Sequence, residues 1–312
     1  MLSIKKLYWV VALLFLQNFT FAQNGCGTTE HIESLGAQYR MSLNKLDSVI
    51  AARKGYRKKA GGVVTIPVVF HIFHTGETVG VGSNVSQTII DESVTLLNDA
   101  FRASNIYSST STDIEIEFAL AVRDPNDQPT TGVNRLDASN VPGYEVNGYY
   151  DLNEDQIKGM IEWDTKYYLN IWVINNFHDR DIAGFATLPS FNYIPDNRTD
   201  DGITIQYDYI NTIALPHEAG HYLGLYHTFD GSVITDCPLN GDCSLDGDKV
   251  CDTDPHYKNA DCGELASSSL NYCTGNTYGN ILNNFMAYGS YSCKNVFTQG
   301  QAGKDEHLLS PG

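Results

Sequence analysis

Apolar and polar positions along this chain change rhythm several times, and each rhythm predicts a different kind of element. Leu7 to Leu16 is unbroken apolar sequence behind Lys5 and Lys6. That run is too short to span a bilayer and suits a signal peptide covering residues 1–22, with cleavage after Thr20-Phe21-Ala22. Residues 23–59 carry few large apolar side chains and end in Arg53, Lys54, Arg57, Lys58 and Lys59, ahead of Gly61-Gly62. A basic, flexible stretch before a Gly pair reads as an exposed protease site, so residues 23–59 are expected to be a removable pro-segment.

Regular patterning begins after the Gly pair. Thr65 to Phe73 is rich in β-branched and aromatic residues and predicts a strand. Ile90, Val94, Leu97 and Phe101 recur at three- and four-residue steps and predict a helix over 87–103. Ile114, Ile116, Phe118 and Leu120 alternate with Glu115 and Glu117, the pattern of a half-buried strand. A second helix is expected over 153–166, a buried strand over 168–174, and short strands over 184–188 and 202–206. Such alternation predicts an α/β (α+β) lobe, with a mixed twisted sheet and backing helices. Beyond residue 227 the texture turns to Gly, Asn, Asp, Ser and Cys with little periodicity. This C-terminal lobe cannot bury much apolar area, so disulfides and metal ions are expected to hold it. The resulting division is 1–22, 23–59, 60–227 and 228–312.

Between the two textures lies His217-Glu218-Ala219-Gly220-His221-Tyr222-Leu223-Gly224-Leu225-Tyr226-His227. On a helix, positions i and i+4 share a face, so His217 and His221 can present imidazoles to one ion. Glu218, on the same turn, is placed to take a proton from water at that ion. Gly224 accepts a positive φ and can end the helix, so that the chain turns and returns His227 as a third ligand. Three protein ligands with an open fourth position form the catalytic zinc pattern rather than the structural one. Pro216 lacks an N–H and fits only in the first helical turn, so the helix should start near Thr212 or Ile213.

Composition adds two constraints. With 37 acidic and 20 basic residues the net charge is −17, which argues against nucleic acid or an anionic membrane as partner. Of seven cysteines, six (Cys237, Cys243, Cys251, Cys262, Cys273 and Cys293) follow the histidine motif, an even set that suits three disulfides in an exported protein. Cys26 stands alone. Its thiolate is a good zinc ligand, so Cys26 is a candidate latency switch, with a dimer link or an inert thiol as alternatives.

Several segments besides the motif resemble, in order, those of the pappalysin family of metzincin peptidases, the ulilysin-like secreted enzymes. They are IPVVFHI, DPNDQPTTGVNR, KYYLNIWV, GFATLP and DGITI before the motif, and the stretches 250–255, 284–288 and 297–301 after it. Residues 26–28, Cys-Gly-Thr, are similar to that family's pro-segment switch. The resemblance implies a metzincin catalytic domain in which His217, His221 and His227 bind zinc and Glu218 is the general base. It implies that Met286 forms an apolar floor under the ion and that Tyr288 stabilises the oxyanion. It implies structural calcium in the distal lobe, for which Asp246, Asp248, Asp252, Thr253 and Asp254 offer hard oxygen ligands. It further implies the disulfides Cys243–Cys273 and Cys262–Cys293, leaving Cys237–Cys251.

Two departures stand out. Asp254 interrupts the family's Thr-Pro step, so the calcium loop is expected to be reshaped. Family members that prefer Arg or Lys after the scissile bond carry an acid between the Met-turn and the next cysteine, whereas this chain has Gly289-Ser290-Tyr291-Ser292. A buried cation needs a partner, so apolar or aromatic residues are expected there instead, unless an acid such as Asp305 or Glu306 reaches in. The function expected is that of a secreted, monomeric zinc endopeptidase, made latent and released by an activating protease, acting on protein or peptide substrates. The alternative is an inactive or slow peptide-binding module on the same scaffold, which would ordinarily have lost the Glu or a His.

Overall fold

The structure, a computed structural model, describes residues 25–52, 62–149, 154–178, 180–189, 201–233 and 236–309. The expected signal peptide and the basic stretch 53–59 lie outside these residues. In chain order the main elements are α1 (Thr28–Ser34), α2 (Gly36–Ala52), β1 (Val64–His74), α3 (Gln87–Phe101), β2 (Ile116–Leu120), β3 (Val133–Asp137), α4 (Tyr144–Asn147), α5 (Glu154–Lys158), β4 (Leu169–Ile174), β5 (Gly184–Ala186), β6 (Ile203–Gln206), α6 (Ala214–Tyr222) and α7 (Gln299–Leu309).

The strands form one sheet in the order β2-β1-β4-β6-β5, with β3 also paired to β1. β1 is long enough to pair with β2 through residues 64–68 and with β3 through residues 70–74. All pairs are parallel except β5 with β6. Parallel strands need both faces covered, and every residue of β4 is buried. One face packs Val68, Phe70, Ile72, Ile171 and Val173 against α3 and α6. The other packs Phe73, Trp172 and Ile174 against Tyr144, Phe177 and Phe185. Each such side chain contributes roughly 1.5–3 kcal/mol on burial, which fixes the register.

The periodic elements fall where the apolar pattern puts them, with α4 and α7 unforeseen and three further differences. The helix expected over 153–166 is only the short α5, because Gly159 follows it and the chain must then turn Trp163 inward, where Asn170 binds both its N–H and its carbonyl. β3, inside the DPNDQPTTGVNR region, has no alternation and was not expected as a strand. Residues 28–52, for which the pattern predicts no element, are helical. Leu35, Tyr39 and Leu43 lie at four-residue steps and bury against Leu188 and Tyr226.

The C-terminal lobe is irregular apart from short 3-10 turns and α7, with a small cluster of Ala260, Tyr278, Ile281 and Leu282. Its disulfides are Cys237–Cys273, Cys243–Cys251 and Cys262–Cys293. The last was expected; the pairings Cys243–Cys273 and Cys237–Cys251 are not found. The reason is local. Leu245 and Asp246 both donate to the Asp242 carbonyl, and Gly247 and Lys249 take positive φ, so the loop folds back and brings Cys243 and Cys251 to a Cα separation of 4.9 Å.

Met286 is fully buried against α6, and a Cβ at Gly220 would lie 2.4 Å from its sulfur. The close approach of these two segments therefore needs glycine at 220.

Two outcomes follow. Non-reducing peptide mapping should recover Cys237–Cys273, Cys243–Cys251 and Cys262–Cys293, and a Cys243–Cys273 peptide would contradict this loop structure. Gly220→Ala should lower Tm, since overpacking costs about 1–3 kcal/mol and outweighs the roughly 1 kcal/mol gained in helix propensity. A raised Tm would show that Met286 yields freely.

Candidate active site

The site is built on α6 and the turn that ends it. Thr212 Oγ1 accepts the Ala214 N–H at 3.2 Å, which starts the helix at the expected place and leaves Pro216 in the first turn. The end is a Schellman turn: Leu225 N–H donates to Gly220 O, Gly224 N–H donates to His221 O, and Gly224 has φ +91°. That turn sends the chain back so that His227 faces the helix it has just left.

Three imidazole nitrogens meet there. His221 Nε2 lies 3.2 Å from His217 Nε2 and 3.1 Å from His227 Nε2. Ligands about 2.05 Å from a tetrahedral zinc are separated by about 3.3 Å, so the spacing is that of one edge after another of such a shell. The opposite ring nitrogens are tied down. His217 Nδ1 is 2.6 Å from Phe285 O, and His221 Nδ1 is 2.7 Å from Leu225 O. A carbonyl can only accept, so each Nδ1 carries the hydrogen and each Nε2 presents a lone pair. Burial lowers the pKa of all three histidines, that of His217 to about 4, which keeps them neutral and able to ligate.

Glu218 is fully buried beside this cluster. Its Oε2 accepts from Thr28 Oγ1 at 3.1 Å and from Cys26 Sγ at 3.6 Å, while Oε1 has no hydrogen-bond partner among the described residues. Burial raises its pKa to about 8. An orphaned carboxylate oxygen and convergent lone pairs are each costly when buried, and a divalent cation with its water would satisfy both. The donor set of three neutral imidazoles suits zinc. Cys26 Sγ lies with the three histidines in a group whose ligand atoms are all within 4.8 Å of one another.

The N-terminal segment runs along the site. It extends the sheet at β5, with Cys26 bridging Gly184 in parallel, Gly27 N–H donating to Gly184 O, and Ala183 N–H donating to Gly25 O. Tyr288 Oη donates to the Cys26 carbonyl at 3.0 Å, and its ring packs 4.7 Å from that of His227. Met286 lies buried against Gly220 of α6. It is held by Asn284, whose Oδ1 accepts the Met286 N–H, and by Gln301, which exchanges amide hydrogen bonds with Asn284.

The acidic residues of the distal lobe do not gather. Asp248 accepts from Thr253 Oγ1, Asp246 from the N–H groups of Gly241 and Asp242, and Asp252 from Thr298 Oγ1 and Gly300 N–H at the start of α7. Asp254 is exposed. Among the described residues they form no common group of convergent ligand atoms. Asp252 instead acts as a helix N-terminal anchor for α7.

Two residues that pattern reading passed over border the site. Lys294 is buried, with Nζ donating to Leu282 O and Tyr288 O, both at 2.7 Å. It lines a pocket beside His217 and Glu218 together with Ile213, Ala214, Phe285, Ala287 and Tyr291. Burial lowers its pKa to about 7, with Asp261 opposing. Asp261 lies behind Gly289, where its Oδ1 accepts the N–H groups of Ser290 and Gly263. Nothing in the sequence spacing links residue 261 to residue 289; the Cys262–Cys293 bridge does. The side chains of Asp305 and Glu306 lie outside the described residues.

Comparison with known proteins agrees with this geometry. The family model described as pregnancy-associated plasma protein-A matches residues 151–310. An extracellular metalloprotease of Arthroderma gypseum is 24% identical over 93% of this chain and 85% of its own length. Human pappalysin-1 is 30% identical over 52% of this chain, which spans only 10% of that much longer protein. Mature mirolysin of Tannerella forsythia, solved with a cleaved peptide, is 26% identical and superposes with a TM-score of 0.63, covering 78% of this chain and 91% of mirolysin. A promirolysin mutant from the same organism shares the fold over 90% of this chain and 92% of its own, with a TM-score of 0.65. With its family model spanning half of the sequence and including the three-histidine helix, the chain belongs to the pappalysin family of metallopeptidases.

Proposed function

We propose that this metallopeptidase is a secreted zinc endopeptidase made as a latent precursor. The carrying observation is the convergence of three imidazole lone pairs beside a buried, unpartnered oxygen of Glu218. In this reading residues 1–22 are a leader, 23–59 a pro-segment, and 60–227 and 228–312 the two lobes of the enzyme. Export is supported by relatives named as extracellular, and no helix among the described residues is long and apolar enough to cross a membrane. Latency is supported by the segment lying over the site and by promirolysin being a structural relative.

Zinc held by His217, His221 and His227 would supply Lewis acidity, polarising the scissile carbonyl and making water acidic enough to attack near pH 7. Glu218 takes the proton from the attacking water and delivers it to the leaving amine. Its unpartnered oxygen is the one free to do so. Tyr288 donates to the carbonyl oxygen as negative charge builds, a contribution of roughly 3–4 kcal/mol for a well-placed donor. In the full-length chain that hydroxyl is engaged by the Cys26 carbonyl, and Cys26 Sγ, grouped with the three histidines, would supply a fourth ligand.

The residue after the scissile bond enters the pocket walled by Tyr291 and Lys294. Lys294 Nζ donates to Leu282 O and Tyr288 O and offers an incoming basic side chain no acceptor. Besides Glu218, which lines the pocket, Asp261 lies behind the Gly289 backbone with one oxygen already accepting two N–H groups.

Two measurements test this. The full-length chain should leave casein intact and the processed form should digest it, with processed Glu218→Ala slower by roughly 10²–10⁴-fold. A Glu218→Ala variant as fast as its parent would refute the mechanism. In a peptide-library digest, most new N-termini should be Leu, Phe, Tyr, Val or Met; a majority of Arg or Lys would refute the pocket assignment.

A further inference from the structure

The three histidines of the site are not held alike. His217 and His221 each give Nδ1–H to a backbone carbonyl of the body of the protein. Among the described residues, the hydrogen-bond partner of His227 Nδ1 is Thr29 Oγ1 at 3.5 Å, and Thr29 belongs to the N-terminal segment. The Tyr288 side chain is in the same position, since its hydroxyl donates to the carbonyl of Cys26. If residues 23–59 are shed, His227 and Tyr288 lose these partners together.

A single ring of the body touches both. Phe229 is stacked on His227, with centroids 4.8 Å apart and planes 10° from parallel. It meets Tyr288 edge to face at 4.6 Å and 60°. Tyr288 in turn meets His227 at 4.7 Å and 70°. The three rings close a triangle, so the tilt of each is set by the other two. Aromatic faces are electron-rich and edges electron-poor, which makes the tilted contacts attractive. A cation bound at His227 Nε2 would draw electron density from the imidazole, and the Phe229 face would then favour the stack further.

Phe229 is itself fixed from behind. It is buried, and a third ring, that of the fully buried His256, lies 5.9 Å from it at 74°. His256 Nδ1 faces Tyr257 O at 2.9 Å, so Nδ1 carries the hydrogen and Nε2 accepts from Thr228 Oγ1 at 2.7 Å. Thr228 N–H donates to Met286 O, and Asp230 N–H donates to His227 O. The backbone on either side of Phe229 is thus pinned to the body, and none of these contacts involves the N-terminal segment.

We propose that Phe229 is a positioning residue, whose ring holds the third histidine and the Tyr288 phenol in register with each other once the N-terminal segment has gone. This role rests on the reading of the three histidines as a zinc site and of Tyr288 as the donor to the oxyanion.

The test uses enzyme processed by limited proteolysis of the full chain. Phe229→Leu keeps an apolar side chain and removes the ring. Its zinc affinity, measured by chelator competition, should fall by about 10–100-fold, the usual loss when the support of a metal ligand is removed. At saturating zinc, kcat on one peptide should fall by about 10-fold while KM stays near the parent value, because Tyr288 acts on the developing charge rather than on the bound peptide. Phe118→Leu is the packing control, since Phe118 is also buried but lies on β2, at the opposite edge of the sheet from β5. It should lower Tm and leave zinc affinity unchanged. A Phe229→Leu enzyme that likewise loses Tm but keeps its zinc affinity and kcat would overturn the proposal. The processed parent enzyme supplies an arm that needs no variant. With labelled histidine and phenylalanine, nuclear Overhauser contacts should join the His227 and Phe229 rings in the zinc-loaded protein. Their absence would show that the stack departs with the segment, and would equally overturn the proposal. A processed parent that binds no zinc would instead strike the zinc reading, and this role with it.

Discussion

Everything in this molecule answers to one demand: three neutral imidazoles must hold their lone pairs 3.1–3.2 Å apart in a dry interior. Left alone, such lone pairs repel one another and lose their hydration. The fold prevents their escape by tethering the far side of two of the rings to carbonyl groups. One carbonyl, Leu225 O, belongs to the turn that ends α6, so the turn that returns His227 also orients His221. The other, Phe285 O, belongs to the C-terminal lobe, so orienting His217 requires both lobes. Met286 is next in sequence and packs on Gly220 from below. Asn284 and Gln301 then fasten that stretch to the start of α7, where Asp252 accepts the helix-terminal N–H. The disulfide-rich lobe is thus the part that aims His217.

How much of this the sequence made legible depends on the range of the interaction. His217, Glu218, His221, Gly224 and His227 are read directly, because helical periodicity and glycine's freedom at positive φ act over a single turn. β1, α3, β4 and β6 are legible from apolar period, since burial on one or both faces imposes it. α2 was missed although Leu35, Tyr39 and Leu43 carry a helical stripe, because so few apolar residues among many polar ones give a weak signal. α5 is shorter than its pattern because Trp163 has to turn in to meet Asn170. The lobe beyond residue 228 has no period to read. Its disulfide partners, and the meeting of Asp261 with Gly289, are consequences of loop paths that only the folded chain defines.

The distal acids also have a role within the fold. Asp246, Asp248, Asp252 and Asp254 look like a ligand set when written in a line, since hard oxygens crowd one stretch of sequence. In the fold the first three serve three separate turns, each accepting N–H or hydroxyl hydrogens that would otherwise be unpaired. A loop-rich lobe exposes many backbone donors, and carboxylates are the strongest acceptors available to it. Density of acids in sequence therefore reports the need for turn stabilisation as readily as it reports a cation.

The N-terminal segment contacts Glu218, Tyr288 and His227 of the proposed mechanism. Thr28 and Cys26 hydrogen-bond one oxygen of Glu218, Cys26 O takes the Tyr288 hydroxyl, Thr29 Oγ1 approaches His227 Nδ1 at 3.5 Å, and Gly25 and Gly27 pair with the edge of β5. None of these contacts requires the site to deform: α6, its Schellman turn and the three-histidine cluster are all in place beneath the segment. In the proposed precursor, silence by occupation differs physically from silence by distortion. A distorted site must refold after processing, at a cost in rate, whereas an occupied one is complete as soon as the segment leaves. The parallel course of the segment along β5 adds to this. It brings a thiol, rather than a peptide carbonyl, among the three histidines, and the carbonyl of the same residue is already bound by Tyr288.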